Sequence, residues 1–90
     1  MSFYLKDPHS RIEFPIVWGT DFMGPSSITD SVWGVAPAGL AIEDLGVNGA
    51  EARAMIGGGT PGEVYRVTNE VTLLDGRSDV RSLLIRVEKR

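Results

Sequence analysis

The chain has 90 residues, 12 acidic against nine basic side chains, a net charge of −3 and no cysteine. That length allows one domain, burying roughly 60–65% of its unfolded surface, and the missing cysteines exclude a disulfide framework and thiol chemistry. The acidic balance leaves no basic face for nucleic acid, and no run approaches the ~18 apolar residues a membrane helix needs. Met1 to Asp7 lack the apolar stretch of a signal peptide, and the absence of cysteine is compatible with cytosolic synthesis.

Eleven glycines and five prolines in so short a chain imply many turns between short strands. Residues 1–11 read as an N-terminal arm, because Asp7-Pro8-His9-Ser10 breaks any regular element after the apolar Phe3, Tyr4 and Leu5. Residues 12–90 read as the single folded domain. Ile12 to Trp18 is the first strand, and Pro15 within it demands an edge position or a bulge. Gly19 to Ser26 is a loop. Ile28 to Val35 is the second strand, with Trp33 as the expected core anchor. After the turn at Pro37-Ala38-Gly39, Leu40 to Leu45 is the third. Asn48-Gly49 signals a hairpin leading into Glu51 to Ile56, whose Ala-Arg-Ala-Met would also suit one helical turn.

The strongest pattern comes last. The glycine turn Gly58-Gly59-Thr60-Pro61-Gly62 opens a long alternating strand, with Tyr65, Val67, Asn69, Val71 and Leu73 on one side. Asp75-Gly76 turns the chain, and Ser82 to Val87 brings it back. Gly76 is expected in the left-handed region. The whole predicts a small Ig-like, all-β sandwich of about six to seven short antiparallel strands, with Trp33, Tyr65, Val67, Val71, Leu83, Ile85 and Val87 in one core. Gly62-x-x-Tyr65 fits the corner in which a tyrosine hydroxyl bonds back to the chain, and equally a plain core tyrosine. Asn69, among inward apolar neighbours, must satisfy polar groups opposite it.

Reactive chemistry is sparse. His9 is the only histidine and has no rigid third group beside it, so a Ser-His-Asp site is not expected. One histidine without cysteine cannot assemble a zinc site. Glu43-Asp44 and Asp75 with Asp79 lack the glycine-spaced loop of a calcium site. The 57–62 glycine run lacks the Gly-Lys-Ser/Thr ending of a phosphate cradle. No catalytic residue, cofactor or metal is therefore expected. Arg77 and Arg81 are expected to pair with Asp75 and Asp79 around the hairpin.

Lys6-Asp7-Pro8, Trp18, Ile28-Thr29 with Ser31 and Trp33, Gly58 to Gly62, Tyr65 to Asn69, Asp75 to Asp79 and Arg81-Ser82-Leu83 with Ile85 and Val87 form a pattern covering residues 6 to 88. In this pattern the chain resembles the small Ig-like structural proteins of tailed bacteriophages, of the fiber–tail adaptor or neck–tail type. It departs from them at Val17, where members often carry an aspartate. The resemblance implies a virion component of the tail or neck, without enzymatic activity, made in the host cytoplasm. It implies as partners other virion structural proteins and copies of the same chain in a symmetric assembly, with no nucleic acid and no membrane. The alternative is an Ig-like ligand-binding module for carbohydrate or a cell-surface protein, which an exposed platform of Phe3, Tyr4, Trp18 and Phe22 would favour. The apolar Phe3-Tyr4-Leu5 cluster, lying outside the predicted core strands, marks the arm as the expected docking element, mobile until assembled.

Overall fold

A computed structural model describes the chain over residues 2–89. Seven strands and one helical turn follow in order: β1 (Ser2–Lys6), β2 (Arg11–Val17), α1 (Thr20–Met23), β3 (Ile28–Ala36), β4 (Leu40–Asn48), β5 (Glu51–Gly58), β6 (Val64–Leu73) and β7 (Ser78–Val87). They form two sheets, a four-stranded one ordered β1-β7-β6-β3 and a three-stranded one ordered β2-β5-β4. We call them sheet A and sheet B. The molecule measures 43 × 19 × 18 Å, the shape of an elongated sandwich.

Alternation builds the core. Along β6 the buried set is Tyr65, Val67, Asn69, Val71 and Leu73, and along β7 it is Leu83, Ile85 and Val87. β5 contributes Ala52, Ala54 and Ile56, all fully buried, as the central strand of sheet B. A helical turn there is overridden because both flanks of β5 are paired. β2 lies at the edge of sheet B, where Pro15 removes only one possible donor.

Four expectations are corrected. The N-terminal segment is not an arm: Ser2–Lys6 is β1, paired in parallel with β7 from Ser2 opposite Leu83 to Lys6 opposite Val87. The sheet is therefore not purely antiparallel. Second, Trp33 is only half-buried, because β3 is an edge strand and covers the ring incompletely. The core tryptophan is Trp18, 2% exposed at the end of β2. Third, residues 19–26 are not all loop, since Thr20–Met23 makes one helical turn that places Met23 in the core. Fourth, β4 does not end at Leu45. Gly46, at φ +93, donates its N–H to Asp44 Oδ1 at 2.8 Å and forms a bulge. The strand then continues to Asn48, which pairs with Glu51, and the two-residue hairpin turn is Gly49-Ala50, with Gly49 at φ +63.

Candidate docking surfaces

Two arginines of β7 and its turn fasten the β2–α1 segment to sheet A. Arg77 pairs with Asp75 at 2.9 Å and also donates to the carbonyls of Phe22 and Met23 at 2.7 and 3.0 Å. Arg81 does not reach Asp79. It donates to the carbonyls of Val17 and Trp18 at 2.6 and 3.2 Å, with its guanidinium 4.5 Å from the Trp18 ring centre. Carbonyls at the end of a strand lack ladder partners, and a guanidinium carries enough donors to serve two of them. The backbone N–H of Arg77, and then its guanidinium, hold the Asp75 carboxyl below the usual carboxylate range.

Beneath this clamp lies a polar network inside the core. The Trp18 indole N–H donates to Asn69 Oδ1 at 3.0 Å, and Asn69 Nδ2 donates to Ser31 Oγ at 2.8 Å and more weakly to the Val32 carbonyl at 3.4 Å. Asn69 thus ties the residue just past β2 to a side chain of β3.

At the opposite end the glycine turn is locked by Lys6 and Tyr65. Lys6 is 1% exposed, and its Nζ donates to the carbonyls of Asp7 at 2.8 Å and Gly58 at 2.7 Å. Burial pushes the ammonium below its ordinary value, partly countered by the Asp7 carboxylate. Tyr65 accepts the Thr60 N–H at 2.9 Å, five residues upstream, in the manner of the tyrosine corner. Gly62 donates its N–H to the Val87 carbonyl at 2.7 Å. Gly59 is at φ +103, and a Cβ there would come within 2.5 Å of a Val87 methyl, so only glycine fits.

Strand alternation divides the Phe3-Tyr4-Leu5 cluster. Tyr4 turns toward sheet B and meets Phe14 edge-to-face at 5.0 Å. It also lines a groove of about 170 Å³ between β2 and β7, shared with Pro15, Ile16, Val17, Arg81, Ser82 and Leu83. Among the described residues, β7 has no strand beside residues 78–82 on that side, because β1 begins opposite Leu83. Phe3 and Leu5 stand on the outer face of sheet A, 55% and 47% exposed. The register sets Phe3 beside Leu84 and Arg66, and Leu5 beside Arg86 and Val64. Toward the other end of the same face lie Val80, Glu70 and Val32 in one row, with Asp30 beyond. The aromatic platform is not assembled, since Trp18 is buried and Phe22 packs against it at 5.2 Å.

The outer face of sheet B is different in kind. Arg11 pairs with Glu43 at 2.7 Å, and Arg53 pairs with Glu13 at 3.2 Å and with Glu51. Among the described residues, no three or more His, Cys, Asp or Glu side chains converge on a point that could hold a metal ion. Among the described residues, no helix is long and apolar enough to cross a membrane.

These features define a small Ig-like sandwich whose ordered chemistry holds the fold, and whose outer face and edges stay open. Its fold is similar to the solution structure of the PKD domain from KIAA 1837 protein, with a TM-score of 0.58 at 15% identity, over 99% of this chain and 81% of that one. No curated protein matches the chain. Residues 6–86 match the family described as podophage GP4 fiber-tail adaptor protein gp77, and the chain belongs to that family.

Proposed function

We propose that the chain is a non-enzymatic structural adaptor of a podophage particle, made in the host cytoplasm and built into the tail or neck. There it docks on fiber and tail subunits. The observation that carries this reading is the family match over residues 6–86. Two properties of the molecule support it. The sandwich is closed at each end by the Lys6 and Arg77–Arg81 contacts, which suits a spacer. The groove between β2 and β7 offers a wall of mixed polarity beside an unpaired strand edge, the arrangement that accepts an extended segment of another chain. A loop or strand of a neighbouring fiber or tail subunit is the occupant this reading assigns to it.

Val17 is 58% exposed on the groove wall, so Val17→Arg should fold normally by circular dichroism while blocking the groove. Particles assembled with this variant should lack the adaptor and carry few fibers. Incorporation at the wild-type level would remove the groove from the docking surface. Loss of the chain that left tails and fibers joined would remove the adaptor role itself.

A further inference from the structure

We propose that the outer face of sheet A binds a second copy of the same chain, in a two-fold, face-to-face dimer whose axis runs along the row Ser82, Thr68 and Gly34. On this face Arg66, Leu84 and Ala36 lie two residues to one side of that row, and Glu70, Val80 and Val32 lie two residues to the other. A two-fold axis along the row exchanges the two sides. Arg66 then meets Glu70 of the second copy, Leu84 meets its Val80, and Ala36 meets its Val32. The same operation places Phe3 over the gap beside the second copy's Val80, where β1 does not extend.

Three observations favour this occupant. First, two opposite charges on this face lack partners of their own, whereas Arg86 at its end pairs with Glu88. Among the described residues neither Arg66 nor Glu70 has an ion-pair partner, whereas the arginines on the outer face of sheet B are all paired. Four residues of extended strand separate Arg66 from Glu70 by about 13 Å, too far to pair within one chain. Second, Phe3, Leu5, Val32, Val64 and Val80 are all more than 40% exposed on this one face, an apolar area that a free chain leaves in water. Third, the molecular dimensions of 43 and 19 Å cap the face at about 800 Å² per partner, so it can reach but not exceed a standard stable interface. A face that matches itself under a two-fold operation is the requirement for an isologous dimer. The inference is independent of the adaptor reading, because it is read from the mass of the isolated chain.

Analytical ultracentrifugation of the full chain tests it. The wild type should sediment at twice the chain mass, with dissociation favoured by salt. Arg66→Glu and Glu70→Arg should each weaken the dimer by at least about tenfold, with unchanged circular dichroism. Mixed in equal amounts, the two variants should form a heterodimer, since each like-charged contact becomes an opposite-charged one. The double variant R66E/E70R should dimerise again. A wild type that stays monomeric at about 100 μM, well above the micromolar range of modest interfaces, would overturn the proposal. So would single variants that dimerise as the wild type does, a mixture that fails to associate, or a face covered only when a fiber or tail protein is added.

Discussion

Trp18 and Asn69 hold the centre of the molecule, and their coupling gives the sharpest expectations for single side chains. Trp18→Ala should cost about 3–5 kcal/mol, as large aromatic truncations do, and more than Trp33→Ala, because Trp33 is covered only in part. Urea unfolding of the two variants checks the order. Asn69→Leu keeps the volume but strips the Trp18 indole N–H of its acceptor, for an expected loss of about 1–3 kcal/mol. Asp75 supplies a pH test. Its folded-state affinity for protons is depressed, so its contribution is present above the ordinary value of 3.8 and is lost as pH falls through the folded one. Asp75→Asn should flatten the acid limb of the stability profile by lowering stability at neutral pH while leaving the most acidic end, where Asp75 is already protonated, little changed. Tyr65 and Asn69 were legible in the sequence because they stand in an alternating strand. Lys6 was not, since its burial depends on Gly58, 52 positions away.

At the scale of elements, what sequence patterning reveals depends on how far apart the paired strands lie. The β6–β7 and β4–β5 hairpins could be read directly, because Asp75-Gly76 and Asn48-Gly49 mark turns between alternating runs. Gly76 stands at φ +95 with its N–H on the Leu73 carbonyl at 2.9 Å. Gly76→Val should therefore lose more than about 1 kcal/mol, since a β-branched residue is a poor fit at positive φ. The parallel pairing of β1 with β7 leaves no local trace, because its partners sit about 80 positions apart, and five apolar-rich residues before a proline look like a loose end. The consequence is testable. Deleting residues 1–6 should not yield a folded core with a missing tail. It removes a ladder, the Tyr4–Phe14 contact and the Lys6 lock, so the urea midpoint should drop sharply. A truncated chain with the wild-type midpoint would return β1 to the status of an arm.

For the whole molecule, the sandwich class followed from turn spacing and alternation, whereas the division into two sheets and the identity of the outer face needed the topology. Function was legible only through the residues shared with a phage family. The pattern of open edges and unpaired charges that could serve assembly is a property of the folded surface, created when distant strands come side by side. The central claim is that this chain joins fiber to tail. A single-particle electron-microscopy reconstruction of the parent phage tests it most directly. The account predicts density for a 43 Å sandwich at the junction between tail and fiber, in contact with both. Fibers seated on the tail with no copy of this chain between them, or the chain found elsewhere in the particle, would contradict it.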